Sequence, residues 1–533
     1  MRKKRKDNVI EAVAGVILLI IAFICYLLFF RYVQGDDIWY DEVFSMGFIR
    51  EDIRGLAALT AMDVHPPFYY MYLKAAVALI CTLSESTGIV QAAKAASLLP
   101  WIGLFIMALI PVRKRFGMLT AGLFILLITA MPQIAPYYTE IRMYSLALML
   151  VTFEILLSVK LAEGMIYDGR VSVPVAVVFT IVGLITAYTQ YYACIAVIGS
   201  YIALTCLILM YAGNKKKSFM ALLGCAVVSA IAYMPWLPVL IRQADNISGS
   251  YWIQPLTLRS IGGCIKYLTM PVIDVSPVIK YTATGCVILS TLCTIILYLI
   301  RREKSSTESS TENEGSSIVI EKNSDRYDII ILLCCLMPIA VVVVSGFILS
   351  AMGTPIFVYR YMIPAAGGLW LFVATGAGKV GRSYIRIPFV CVFIAVCLLN
   401  MRGYSIEEHK KLDMIAIADE NLAKIPKGSV IVTNFDHVTA VIGERMTDEK
   451  VVLYDNEIDR LIPMMYANVS DGFTDDDLIN LLDAGERVYF FGSFNSREEI
   501  ISKWSELRIG SELTDSIMVE RYWFNIYRLY RID

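Results

Sequence analysis

The chain is 533 residues long, 57% hydrophobic and 18% charged, with a mean hydropathy of +0.62. Apolar runs of about 20 residues recur through its first three quarters, each long enough to cross a bilayer as a helix. The formal net charge of −1 conceals an uneven split: residues 402 to 533 carry 15 Lys+Arg against 25 Asp+Glu, and that acidic balance argues against a nucleic-acid partner.

The 12 cysteines are scattered along the apolar part, and the only adjacent pair, Cys334-Cys335, sits inside an apolar run. Neither a disulfide framework nor a zinc site is indicated.

In chain order, a basic cluster from Arg2 to Lys6 precedes an apolar run from Val9 to Phe30. The run is too long for a signal peptide and lacks a small-residue cleavage site, so it reads as a retained first span. With the cluster inside, the N-terminus is cytoplasmic and Asp41, Glu42, Asp63 and His65 lie outside. The stretch from Phe68 to Leu83 is short, rich in tyrosine and carries Lys74. It is assigned to an outer interfacial helix, because a crossing there would place Arg113-Lys114-Arg115 outside.

Spans follow near 89–112, 118–136, 143–161, 173–189, 191–211 and 218–240. The mixed stretch from Leu256 to Val278 reads as a second interfacial helix, leading into a span that ends at Arg301-Arg302. A Ser/Thr/Glu-rich segment from Lys304 to Asp325 reads as a disordered inner loop. Spans near 328–350, 357–377 and 387–401 bring the total to about eleven. The expected fold class is therefore a polytopic α-helical membrane protein, in the plasma membrane, with interfacial helices and an outward-facing soluble α/β domain at the C-terminus. The domains divide as 1–401 and 402–533.

That C-terminal segment has a different grammar. An amphipathic helix around Lys410 to Ile425 precedes strand-like residues 429–434, a helix near 437–446 and a strand at 451–454. A helix at 475–482, a strand at 487–491, a helix at 496–507 and a last strand at 523–531 complete it. It contains no Gly-rich phosphate loop and no nucleophile with a base. His409 and His437 stand alone, as structural or exposed histidines do.

Chemistry is expected where charges gather at the outer ends of spans. Trp39-Tyr40-Asp41-Glu42 is followed by Asp63-Val64-His65-Pro66-Pro67, then by Tyr137-Tyr138-Thr139-Glu140-Ile141-Arg142-Met143-Tyr144. Tyr188-Thr189-Gln190-Tyr191-Tyr192, Tyr251-Trp252-Ile253-Gln254-Pro255 and Tyr359-Arg360-Tyr361 come later, on the same side. Arginines hold a lipid phosphate, aromatic rings stack on a sugar, and one carboxylate takes a proton from an acceptor hydroxyl. A departing phosphate needs cations rather than a general acid, unlike the leaving group in glycoside hydrolysis. Read blandly, Glu140 and Arg142 pair only with each other, and Tyr191 and Trp252 are belt aromatics.

Taken together, the Asp-Glu pair after the first span, the acid-x-His-Pro-Pro motif, the Glu-x-Arg-x-Tyr start of an inner span, the Tyr-Thr-Gln-Tyr-Tyr segment and the late Arg-Tyr resemble the glycosyltransferase C superfamily. The similarity is to its protein O-mannosyltransferase and aminoarabinose transferase branch, over roughly residues 1 to 400. It implies inverting transfer of a sugar from a polyprenyl-phosphate donor at the outer face of the membrane. Asp41 matches the family's catalytic aspartate and is expected to be the general base. Glu42, Asp63 and Glu140 are expected to meet acceptor or sugar hydroxyls, or a divalent cation such as magnesium or manganese, which is left open. His65, Arg142 and Arg360 are expected at the donor phosphate, and Tyr144, Gln190, Tyr191, Trp252, Gln254 and Tyr361 at the sugar or lipid. Gln190 departs from the histidine common in that segment, which favours hydrogen bonding there over charge.

The acceptor, whether protein, cell-surface polymer or lipid, is not legible. A transporter or an outward-binding scaffold is the alternative. The transporter is disfavoured because the charges cluster at span ends and no internal repeat is seen.

Overall fold

The computed structural model describes residues 2–247, 253, 255–308, 315–352, 355–379, 383–519 and 521–532. Among them nine helices are long and apolar enough to cross a bilayer: Val9–Tyr32, Ile89–Phe116, Tyr144–Ile166, Tyr191–Tyr211, Lys215–Asn246, Pro277–Ile296, Arg326–Met352, Tyr359–Lys379 and Arg386–Leu422. Two shorter apolar helices, Met118–Ala130 and Val173–Ala187, fall where the remaining two of the eleven expected spans lie. A third, Phe68–Leu83, is the helix expected at the interface. In the stretch from Leu256 to Val278, expected as a second interfacial helix, the structure has a helix over Leu258–Thr269. Of the Ser/Thr/Glu-rich stretch, residues 309–314 lie outside the described residues, and helices enter it from both sides.

Met118–Ala130 rises about 20 Å, less than the roughly 30 Å of a hydrocarbon core. It is nonetheless the innermost helix, with every residue from Leu119 to Ala130 buried. Its partner is the first helix, and glycine sets the distance between them. A Cβ on Gly15 would lie 2.3 Å from the Met118 carbonyl oxygen, and one on Gly122 would lie 2.2 Å from that of Gly15. With no side chain between them the two backbones touch, as small residues allow in membrane helices. By contrast, the Lys215–Tyr233 helix buries only Ser218 and Leu222 and presents an apolar flank outward.

One charge breaks the expected restriction to span ends. Glu154, near the middle of the Tyr144–Ile166 helix, is 0% exposed and neither carboxyl oxygen has a hydrogen-bond partner. A single acid in a long apolar run carries no partner signal in the sequence, which is why span-end counting overlooked it.

The C-terminal part is a six-stranded sheet of β1 (Val430–Thr433), β2 (Lys450–Tyr454), β3 (Val469–Phe473), β4 (Val488–Gly492), β5 (Ile509–Val519) and β6 (Tyr522–Arg531), in the order β3-β2-β1-β4-β6-β5. Strands β1 to β4 are parallel, with Val432 opposite Val452 on one side and Phe490 on the other. β6 runs antiparallel to β4 and β5. All four β1 residues are buried, as the continuous Val/Ile run of a central parallel strand requires. Strands β3 and β5 were not foreseen. Both are edges: β3 carries an exposed Asp-Gly, and the register of β5 shifts between Leu513 and Asp515, so neither shows clean alternation.

The expected separate helix around 410–425 is instead the end of one 40-residue helix, Ser383–Leu422, which runs unbroken past residue 401. At about 60 Å it is long enough to leave the bundle and carry the sheet. Between sheet and bundle lies the Tyr40–Arg50 helix. Its Val43, Phe44 and Phe48 are buried in one core with Ile442, Ile462 and Met465 of the C-terminal part.

Candidate active site

The Tyr40–Arg50 helix begins at Trp39, whose N–H donates to Glu42 Oε2 at 3.0 Å. This is the reach-back of an N3 glutamate to a helix start. The other oxygen, Oε1, accepts from the Ile141 N–H at 2.6 Å. Glu42 is 3% exposed, and burial raises its carboxyl above the usual range against the opposing Lys94 charge and these N–H donors. With both oxygens satisfied by backbone, Glu42 ties the acidic helix to the 139–143 loop. Both oxygens of this residue, expected to meet an acceptor hydroxyl, a sugar or a metal, are taken by backbone N–H groups.

Asp41, one residue earlier, faces the other way. Its Oδ2 lies 3.2 Å from Arg360 Nη2, and both side chains are about a quarter exposed, at 24% and 22%. Arg142 adds a second tie: Nη1 donates to the Asp41 carbonyl oxygen at 2.9 Å and Nη2 to His65 Nε2 at 2.7 Å. A guanidinium only donates, so His65 Nε2 accepts and the ring is neutral. Burial first, then the Arg142 and Arg360 charges, hold His65 well below its ordinary value. His65, expected at the donor phosphate, is hydrogen-bonded through Nε2 to Arg142, the arginine expected there with it. Arg360 is also stacked near Trp39, 5.6 Å from the ring centre, and Tyr144, 6.0 Å.

Two carboxyls of the same cluster each keep one buried oxygen without a partner, Asp63 Oδ2 and Glu140 Oε1. Burial pushes Asp63 up to about 6, opposed by Arg142 and reinforced by Asp459 and Asp41. It pushes Glu140 up to about 7, reinforced by Glu42 and opposed by Arg360. Asp63 therefore feels Arg142 and Glu140 feels both arginines, and each acid keeps an oxygen free to receive a hydrogen bond or a proton.

The aromatic and amide candidates divide. Tyr144 stays beside Arg360, and Tyr361 stacks on Tyr192 with centroids 4.5 Å apart. Gln190 is 2% exposed with both amide atoms unpartnered. Tyr191 is engaged elsewhere: its hydroxyl accepts from Trp236 Nε1 at 3.0 Å and donates to Gln243, whose Nε2 reaches the Thr60 carbonyl oxygen. It is a brace between helices rather than an open platform. Trp252 and Gln254 lie outside the described residues.

The motifs missed several neighbours. Lys94 is 6% exposed and donates to Asp37 Oδ1 at 2.8 Å and to the Gly35 carbonyl oxygen at 2.9 Å, fixing the approach to Trp39. A lone lysine in the apolar Ile89–Met107 helix was the available signal. From the C-terminal part, Arg521 lies 4.1 Å from the Trp39 ring centre and His437 stacks on Tyr40 at 3.9 Å and 14°. Nothing in the local sequence of those residues announces that contact.

Among the described residues no group of three or more His, Cys, Asp and Glu is disposed to hold a metal ion. Of the three acids expected to meet a hydroxyl or a divalent cation, Glu42 is occupied by N–H groups, while Asp63 and Glu140 each keep one oxygen without a partner.

No protein-family model and no curated protein matches the sequence. Solved structures do. The chain matches crystal structures of ArnT from Cupriavidus metallidurans, in the apo state with a TM-score of 0.56 at 11% identity and bound to undecaprenyl phosphate with a TM-score of 0.54 at 12% identity. Each match covers 96% of this chain and 97% of the other. At such identity the likeness is one of fold, and it extends over both the helical bundle and the C-terminal sheet. The fold is thus the expected one, a bundle of apolar helices followed by a C-terminal domain that contains strands.

Proposed function

We propose that this chain is an integral membrane glycosyltransferase that moves a sugar from a polyprenyl-phosphate donor to an acceptor hydroxyl at the outer face of the membrane. The observation that carries the reading is the open Asp41–Arg360 pair, backed by Arg142, at one end of a bundle that shares the ArnT fold. That one of those ArnT structures holds undecaprenyl phosphate supports a lipid phosphate as the donor's anchor.

In this mechanism the donor phosphate draws Arg360 and the free Nε edge of Arg142 onto its oxygens, in bidentate geometry that arginine favours. Arg360 then shares its charge between phosphate and Asp41, and the carboxylate is released to the acceptor. The acceptor oxygen attacks the anomeric carbon as Asp41 takes its proton, and the bond from that carbon to the phosphate oxygen breaks. Polyprenyl phosphate leaves with the electron pair, stabilised by the two guanidinium groups, and one displacement inverts the anomeric centre. Asp63 and Glu140 hold sugar or acceptor hydroxyls, with Tyr144 and Tyr361 beside the sugar. No step is routed through a metal.

The test is transfer of radiolabelled sugar from a panel of polyprenyl-phosphate sugars by the purified protein in nanodiscs. Turnover of one donor with inverted product is expected; no consumption of any donor would remove the reading. One observation favours a transporter instead, the unpartnered Glu154 near mid-span. Uptake of a sugar into sealed vesicles that Glu154→Gln abolishes would support it.

A further inference from the structure

A cavity of about 500 Å³ opens between the Leu258–Thr269 helix, the turn that follows it and the start of the Pro277–Glu308 helix. That volume suits a small ligand. Its walls include Gln133, Lys266, Tyr267, Asp274, Lys280 and Tyr359. It adjoins the site already described through tyrosine. Tyr267 donates or accepts a 2.7 Å hydrogen bond with the Tyr137 hydroxyl, and the Tyr137 ring packs 4.7 Å from Tyr144, the ring beside Arg360. Tyr359 immediately precedes Arg360 in the chain and lies 5.9 Å from Tyr267, ring to ring. The seat of Tyr359 is built into the backbone, because a Cβ on Gly263 would come within 2.1 Å of its hydroxyl.

We propose that this cavity is a saccharide subsite and that the acceptor is therefore a glycan. The proposal rests on the transferase reading and names its acceptor class. The lining decides the class. Two ring faces offer the stacking that a sugar's C–H surface takes, and both signs of charge are present, with ammonium donors on Lys266 and Lys280 and a carboxylate on Asp274. A neutral polyol uses donors and acceptors together, whereas a phosphate would repel the acid and a lipid tail would strand every polar group. Neither lysine ammonium makes a hydrogen bond or ion pair among the described residues. Glu407, also at the rim, is already paired with Lys410 one turn away. Seated here, a chain of sugars runs from the cavity past the Tyr137–Tyr267 pair toward Asp41.

The experiment is equilibrium binding of fluorescent cellotriose, chitotriose and mannotriose to the full chain in nanodiscs, with no donor present. At least one trisaccharide is expected to bind wild type and Asp41→Asn equally. Lys266→Ala and Lys280→Ala should each weaken it about tenfold, the loss expected for one charge-assisted hydrogen bond. Both lysines lie at the protein's rim, so the variants should keep the wild-type melting temperature. The proposal is overturned if no trisaccharide binds, if binding ignores both lysines, or if inorganic phosphate or a Ser/Thr-rich peptide takes the site with the same lysine dependence. Because no donor is used, failure here leaves the transferase reading standing, and failure to turn over any donor leaves this binding result intact.

Discussion

Arg360 and Asp41 are 319 positions apart in the chain and 3.2 Å apart in the structure, an ion pair whose members are both open to a ligand. In the proposed mechanism Arg360 serves two anions in turn, Asp41 and the donor phosphate. Arg360→Gln should therefore raise the donor KM by about tenfold or more and lower kcat, since the charge that stabilises the leaving phosphate goes with it. A kcat loss with unchanged KM would assign Arg360 to Asp41 alone.

His65 acts through Arg142, so its chemistry matters less than its acceptor. His65→Gln keeps an acceptor oxygen and should retain most donor affinity. His65→Leu leaves a guanidinium N–H unpaired, at a cost of about 1–3 kcal/mol, and should lower both donor affinity and melting temperature. Equal behaviour of the two variants would contradict the arrangement. No imidazole step near pH 6.5 is expected in the rate profile, because the ring stays neutral.

Asp63 and Glu140 make stability depend on pH in the less usual direction. Their folded values, about 6 and about 7, lie above those of free carboxyls, so the native state binds more protons than the unfolded one. Their contribution is complete below about pH 4 and is lost as pH rises through 6 to 7. The melting temperature in nanodiscs should fall between pH 5 and pH 8, and Glu140→Gln should flatten the fall. A melting temperature that is level or rising over that range in wild type would contradict this.

The start of the Tyr40–Arg50 helix is held by the C-terminal part of the chain. His437 stacks on Tyr40, the Tyr40 N–H donates to the Tyr522 hydroxyl at 3.4 Å, and Arg521 covers Trp39. Arg521→Ala should reduce kcat a few-fold with little change in donor KM, as loss of one half-exposed cation–π contact would. Removing residues 423–533 uncovers Val43, Phe44 and Phe48 and should abolish turnover. Full activity of the truncated chain would show that the sheet neither positions Asp41 nor gathers the acceptor.

What the sequence disclosed follows from which forces are local. Span length, basic loops and the apolar runs of β1, β2 and β4 are local patterns, and they located the bundle and the sheet. The grouping of Asp41, His65, Arg142 and Arg360 was legible because each stands at a span end on one side. Their division of labour was not. Glu42 and Asp41 are adjacent and chemically alike, and only the helix start turns one onto the Ile141 N–H and the other outward. Edge strand β5, the buried Glu154 and the reach of Arg521 depend on tertiary packing, which leaves no periodic trace.

The most direct test compares wild type with Asp41→Asn in the nanodisc transfer assay, measuring donor binding and turnover on the same preparation. The substitution keeps the shape of the side chain and removes the base. The account expects unchanged or modestly altered donor binding, with turnover lowered by about 100- to 10,000-fold. Turnover within a few-fold of wild type would contradict Asp41 as the proton acceptor and, with it, the mechanism.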